Sequence, residues 1–167
     1  VRRRVSGLPM TSQQLLAVAA VLGPTFDVNV LAATAGLAMA DVLAAIGPAL
    51  DAGLVIESDT EFSFSHALVS DALAGEVNAV PRATIHAAAA RSLASVAGPG
   101  FGVEAARIAH HAIEGILAGT GDLAVDAGTA AARLAGARFA HEDAAGHWAN
   151  VAAALARSRP SDARSRI

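Results

Sequence analysis

The chain has 167 residues, of which 54% are hydrophobic and 16% are charged, and its formal net charge is −3. This composition excludes a disordered polypeptide and allows one domain or two small ones. The sequence has no cysteine, which excludes disulfide bonds, thiol catalysis and cysteine-ligated zinc, and no lysine, which excludes a P-loop lysine and Schiff-base chemistry within it. Alanine-rich, aromatic-poor chains favour close-packed helices, so we expect a mainly α fold. Because the chain opens at Val1 and ends in an uneven tail, we also expect a piece of a longer protein.

The first helix is expected over residues 12–22, where leucine and alanine recur at helical spacing. Thr11 and Gln14 fit a capping box at its start. The arginines at 2–4 ahead of this helix also suggest a secretory signal, but polar residues separate these charges from the apolar run, which disfavours that interpretation. No stretch reaches the roughly 18 uninterrupted apolar residues that a membrane span needs. We therefore expect no membrane contact and a cytoplasmic location.

Two more helices are expected before residue 53. Asp27 is placed to cap a short second helix, and a third helix runs from about residue 40 to Gly53. Pro48 lies inside the third pattern, and because proline lacks a backbone N–H it predicts a kink or a break there.

The spacing of apolar residues then changes to that of strands. Residues 54–56 and 62–65 predict two short strands joined by a turn at 59–60. A two-stranded hairpin is marginal alone, so it must lie against the helices. Three helices followed by a hairpin is the element order of a winged helix.

After the hairpin the chain predicts helices only. A fourth helix carries Leu68 and Leu73, and longer helices follow at about 81–96, 103–117, 123–138 and 141–157. We therefore divide the chain into an acidic winged-helix module at 1–80, a segment of antiparallel helical hairpins at 81–157, and a disordered tail at 158–167.

The charge distribution argues against nucleic acid as the partner of the first module. Between Val5 and Pro81 there is no arginine or lysine. The same stretch contains eight acidic residues: Asp27, Asp41, Asp51, Glu57, Asp59, Glu61, Asp71 and Glu76. A DNA-binding winged helix needs cations on its third helix and its wing, because phosphate contacts supply most of the affinity. We expect protein contacts instead, with a DNA-binding transcription-factor module as the alternative.

No residue set predicts catalysis or a metal centre. Serines at 63 and 65 lie close to His66, but the Gly-x-Ser-x-Gly elbow of a serine hydrolase is absent. His110 and His111 are neighbours and point about 100° apart on a helix, so they are poor co-ligands. His110 and Glu114 have i, i+4 spacing, but two ligands do not make a site. We expect no enzyme activity, no catalytic residue and no bound metal.

Two other positions are candidates for recognition. His66 lies where the second strand meets a helix, so that its side chain or the first helical amides can face an anion; the alternative is a capping or partly buried histidine. Trp148 forms a helical stripe with Ala144, Val151 and Leu155, which predicts a packing face in a core or an interface.

Several stretches resemble a known family. They are residues 16–27 (LAVAAVLGPTFD), 50–55 (LDAGLV) and 62–73 (FSFSHALVSDAL), with 85–86 and 109–112 resembling the helical repeats that follow. The family is the STAND-type ATPase regulators, which include MalT-like and other large LuxR-type transcriptional activators and some adenylate cyclase fusions. The resemblance covers nearly the whole chain.

The resemblance implies a regulatory, non-catalytic role in signal transduction. In such proteins a winged helix follows an ATPase core and precedes a tetratricopeptide-like sensor array, so this chain resembles a conformational switch between them. ATP or ADP would bind elsewhere in the parent protein, and His66 is implied as a contact to the β-phosphate. Ala144, Trp148 and Val151 resemble the second helix of a tetratricopeptide repeat, although Phe139 stands where the repeat usually has glycine.

The implied partners are the protein's own ATPase domain and other subunits, with oligomers allowed, and the parent ends in a DNA-binding or a cyclase domain. A stand-alone helical adaptor that binds a protein partner is a further alternative.

Overall fold

The computed structural model describes residues 2–58 and 61–158. The chain is mainly helical, as expected, with a small antiparallel sheet in its N-terminal half. The helices are α1 (Arg2–Val5), α2 (Met10–Leu22), α3 (Val28–Ala35), α4 (Met39–Asp51), α5 (Ala67–Glu76), α6 (Ala79–Ala97), α7 (Ala105–Glu114), α8 (Gly121–Ala137) and α9 (His141–Ser158). The strands are β1 (Thr25–Asp27), β2 (Val55–Ser58) and β3 (Glu61–Phe64).

The sheet has three strands in the order β1-β3-β2, so the prediction of only two strands was wrong. β3 pairs antiparallel with both neighbours: Phe26 lies opposite Phe62, and Val55 lies opposite Phe64. The sequence pattern did not indicate β1 because this strand has three residues, of which Phe26 alone is buried. The turn predicted at 59–60 lies outside the described residues.

The start of α3 is capped as predicted, whereas the start of α2 is not. Oδ1 of Asp27 accepts hydrogen bonds from the backbone N–H of Asn29 at 2.6 Å and of Val30 at 3.2 Å. The capping box predicted for α2 is wrong, because the helix begins at Met10 and Thr11 lies inside its first turn. Pro9 is the N-cap residue, with a φ of −53° that its ring fixes, and the helix begins directly after it at Met10 instead of after Thr11.

α4 runs through Pro48 as one helix, so the predicted break is absent. Ile46 and Ala49 are buried on either side of the proline, and their packing holds both parts of the helix against the same core. The helix is followed by Gly53, whose φ of 62° is accessible to glycine at little cost.

The hydrophobic core is continuous from the sheet to the C-terminal helices. The rings of Phe26 and Phe62 stack with centroids 6.1 Å apart, and Phe64 lies 5.6 Å from Phe26 at a tilt. The same cluster of buried side chains extends to Leu93 on α6 and Ile108 on α7. The sheet and the helices α6 and α7 therefore share one hydrophobic core.

In the C-terminal part, α6 contacts α7, α7 contacts α8, and α8 contacts α9. These helices begin within about three residues of their predicted positions; α7 is shorter than predicted because 3₁₀ turns at Gly102–Glu104 and Ile116–Ala118 flank it. The interface of α8 and α9 depends on a small residue, since a Cβ at Gly128 would lie 2.6 Å from Cγ2 of Val151. Within the predicted tail, Ser158 is the last residue of α9, and 159–167 lie outside the described residues.

Among the residues described by the structure, no single helix has the length and apolar character needed to cross a membrane. Within the described part of the chain, α3 and α4 meet that test as a pair, and they are bent by 112° relative to each other.

Candidate functional site

Exposed carboxylates lie on α4 and on both strands of the β2–β3 hairpin, and we call these residues together the acidic face. Asp41 and Asp51 are exposed on α4, and Glu57 and Glu61 are exposed on the strands. Glu61 lies directly opposite Asp27 in the β1–β3 pair, so carboxylates also neighbour one another across the sheet. With no lysine or arginine from residue 5 to 81, this face has no cation of its own among the described residues. Asp59, predicted to belong to this face, lies outside the described residues.

Apolar side chains are exposed on the same elements as these carboxylates. Leu43 on α4 and Ile56 on β2 are about half exposed, at 49% and 52%. A groove of about 510 Å³ lies between α2, α3 and α4, and its lining includes Leu15, Val18 and Asp41. Exposed apolar residues among like charges are typical of a protein-binding surface rather than of a phosphate-binding one.

His66 stands at the junction of β3 and α5. Its backbone carbonyl accepts a hydrogen bond from the N–H of Val69 at 2.9 Å, but its side chain makes no capping bond and is exposed. His66 thus occupies the N-cap position of α5 without a side-chain cap, and its side chain is exposed. The imidazole is accessible from solvent.

The stripe on α9 is divided between the core and the surface. Ala144 and Val151 are buried, while Trp148 is 46% exposed and Leu155 is 40% exposed. Val151 faces α8, where it lies against Gly128. Trp148 is thus outside the core and keeps nearly half of its surface in contact with solvent.

The structure also brings together three histidines that the sequence did not connect. Nδ1 of His86 on α6 lies 2.8 Å from Nδ1 of His111 on α7, and both side chains are buried. His110 is exposed, and its ring centroid lies 5.8 Å from that of His86 and 5.2 Å from that of His111. One ligand nitrogen from each residue lies within 4.8 Å of the others. We call these three residues the histidine cluster.

Both buried imidazoles are held in the neutral form. Burial is the main cause that lowers the pKa of His111 to about 3, and the neighbouring His86, His110 and Arg107 act in the same direction. Burial also lowers the pKa of His86, where Glu114 opposes the shift. A neutral imidazole has one N–H and one acceptor nitrogen, so the 2.8 Å contact requires one ring to donate from Nδ1 and the other to accept there.

His110 also belongs to a second polar group of residues. A pocket of about 330 Å³ is lined by His110 and Glu114 from α7 and by His147 and Asn150 from α9. The floor of this pocket includes Gly128 of α8. His110 therefore borders both the buried histidine pair and an open pocket.

A signal for the histidine pair exists in the sequence. His86 falls on the same helical stripe as Ala83 and Ala90, and His111 falls on the stripe of Ile108. Each is thus a polar residue on the apolar face of a helix, and two such faces on consecutive helices are expected to meet. The 100° spacing of His110 and His111 on their own helix predicts poor co-ligands, but one nitrogen of each lies within 4.8 Å of the other, and His86 joins them through the packing of α6 on α7.

No family model, no curated protein and no solved structure matches this chain.

Proposed function

We propose that residues 2–80 form a winged-helix module and that the chain is a non-catalytic regulatory segment of a cytoplasmic STAND-type regulator. The support is the element order α2-β1-α3-α4-β2-β3 with a sheet ordered β1-β3-β2, since three helices followed by a hairpin is the order expected of a winged helix. The segments that resemble the family cover α2 to β1, the end of α4, and β3 to α5. The α8–α9 pair, in which Ala144 and Val151 of α9 are buried, is proposed as a tetratricopeptide-like hairpin.

The observation that carries the proposal is the acidic face. In DNA-binding winged helices the third helix and the wing approach the phosphates, and each contact requires Lys or Arg. Here the corresponding elements, α4 and the β2–β3 hairpin, expose carboxylates together with Leu43 and Ile56. Such a surface repels a polyanion and is complementary to a basic, partly apolar protein surface.

The partner that we propose is an ATPase domain of the same longer protein. In this role the module holds the nucleotide domain in a resting state and separates from it on activation. His66, exposed at the junction of β3 and α5, is proposed to contact ATP or ADP bound in that domain.

The experiment measures binding of the purified chain to the separately purified ATPase domain. Reversal of two charges on the acidic face, Asp41→Arg with Glu57→Arg, should weaken binding by roughly tenfold or more, because like charges then face each other. The matched control reverses two exposed acidic residues elsewhere, Asp126→Arg with Glu142→Arg, and should leave affinity unchanged. Equal affinities for the two double variants would contradict the proposed interface.

The exposure of Trp148 favours a second candidate, a helical adaptor that binds a protein partner through α9. Trp148 and Leu155 form an apolar strip that the described residues leave partly uncovered. As the chain has a single tryptophan, its fluorescence reports on this strip alone. A change in Trp148 emission on addition of a partner, insensitive to Asp41→Arg with Glu57→Arg, would favour the adaptor over the acidic-face interface.

A further inference from the structure

We propose that His86, His110 and His111 bind a divalent transition-metal ion of the zinc type between α6 and α7. The proposal is independent of the proposed function, because it rests on the C-terminal helices and not on the acidic face. It assigns to the histidine cluster a binding role that neither the sequence patterns nor the regulatory function requires.

The chemistry of the donor set suits such an ion. Neutral imidazole nitrogens are common ligands of Zn²⁺, Ni²⁺ and Cu²⁺, whereas Mg²⁺ and Ca²⁺ prefer oxygen. Three imidazoles leave a fourth tetrahedral position for water or a carboxylate. Glu114 is exposed one turn after His110 on α7 and is close enough to act electrostatically on His86.

The distances require only a small adjustment. Two nitrogens bonded to one Zn²⁺ at about 2.0–2.1 Å and near the tetrahedral angle lie roughly 3.3 Å apart. The Nδ1 atoms of His86 and His111 are 2.8 Å apart, so the metal would replace their shared proton if the rings separated by about half an ångström. The ligand nitrogen of His110 lies within 4.8 Å of those of His86 and His111 and must move closer to both of them. This side chain is exposed, so its rotamer is free to change.

The location of the cluster also gives the metal a structural consequence. His86 belongs to α6, while His110 and His111 belong to α7, so a single ion would cross-link the two helices. The hydrogen-bonded residues His86 and His111 are 25 positions apart in the sequence. Binding energy that exists only in the folded state adds to stability. The bound ion would therefore fasten α7 onto α6.

The test titrates ZnCl₂ into tag-free, chelator-treated protein at neutral pH, in competition with a chromogenic chelator. We expect one equivalent bound, and His110→Ala should weaken binding by roughly tenfold or more. His110 is exposed, so its removal leaves the buried pair and the fold in place, which circular dichroism verifies. The matched control is His141→Ala, which removes an exposed histidine from α9 and should bind as the wild type does.

Thermal melting supplies a second readout. Zn²⁺ should raise the melting temperature of the wild type and of His141→Ala, and should raise that of His110→Ala much less. Co²⁺ should give the visible absorption of a four-coordinate site in the wild type but not in His110→Ala. The proposal is overturned if the chelator retains all the Zn²⁺, or if His110→Ala binds as tightly as His141→Ala.

Discussion

The Nδ1 atoms of His86 and His111 lie 2.8 Å apart in the interface of α6 and α7, where both side chains are buried. This single hydrogen bond satisfies two polar groups that would otherwise lose hydration without compensation. The bond needs at least one neutral ring to accept it, since with both rings protonated each Nδ1 would be a donor. The pair therefore connects the stability of the helical part to pH.

The first prediction concerns acid sensitivity. The pKa of His111 is lowered to about 3 in the folded state, against about 6.5 in the unfolded chain, mainly through burial. Between these values the unfolded chain binds more protons, so stability rises with pH; it is fully present above about pH 6.5 and decreases as pH falls below it. We expect unfolding at pH 5 in the presence of a chelator to require roughly 1–2 kcal/mol less than at pH 7.5.

Urea denaturation of wild type and His111→Asn at the two pH values checks this expectation. The variant lacks the titrating ring, so its loss of stability over the same interval should be smaller. Equal pH dependence in the two proteins would show that other groups cause the acid sensitivity.

The second prediction concerns the contact of α8 with α9. Gly128→Ala places a Cβ 2.6 Å from Cγ2 of Val151, and the resulting strain should cost about 1–3 kcal/mol of unfolding free energy. The control is Gly136→Ala on the same helix, where no atom lies within 4 Å of the added Cβ; it should raise stability by up to about 1 kcal/mol.

A double variant isolates the cause. Val151→Ala removes the methyl groups that Gly128→Ala would meet, so the two substitutions together should cost less than the sum of their separate costs. Additive costs would mean that Gly128→Ala lowers stability for a reason other than its contact with Val151.

The third prediction concerns the start of α3. Asp27→Ala removes the acceptor of two backbone N–H groups and should lower stability by about 1 kcal/mol. Asp27→Asn keeps a side-chain oxygen in the same place and should cost much less. Similar losses for the two variants, measured by chemical denaturation, would point to the charge and not to the hydrogen bonds.

The fourth prediction concerns His66 in the longer protein that we propose. If its exposed imidazole contacts the nucleotide, His66→Ala should release ADP faster, because one charge-assisted hydrogen bond to phosphate is lost. His141→Ala, which removes an exposed histidine from α9, should retain ADP as the wild type does. Unchanged ADP dissociation in His66→Ala would remove this residue from the proposed site.

Local signals in the sequence predicted much of the fold. Asp27 caps α3 and Gly53 follows α4 as expected, because both effects act within a few residues. β1 was missed because its pairing partner, β3, lies more than 30 residues away in the sequence and its own pattern contains one buried residue. Short strands of this kind are specified by the sheet and not by their own residues.

The candidate site shows the same division. The missing cations of residues 6–80 can be read directly from the sequence, and so can the position of His66 between a strand and a helix. The histidine pair depends on the rotation of α6 against α7, which places His86 opposite His111. The exposure of Trp148 likewise depends on how α9 lies on α8, where the close contact of Val151 with Gly128 sets the buried side.

We propose that the acidic face contacts protein and not nucleic acid. A fluorescence anisotropy titration of labelled duplex DNA with the purified chain at about 50 mM salt measures whether it binds nucleic acid. We predict no binding by the wild type. We predict binding by the triple variant Asp41→Arg, Glu57→Arg and Glu61→Arg, because it introduces three cations that can contact phosphates. A plot of the logarithm of its binding constant against the logarithm of salt concentration should have a slope of about −3. Binding of the wild-type protein with a micromolar dissociation constant would overturn the proposal that these carboxylates exclude nucleic acid.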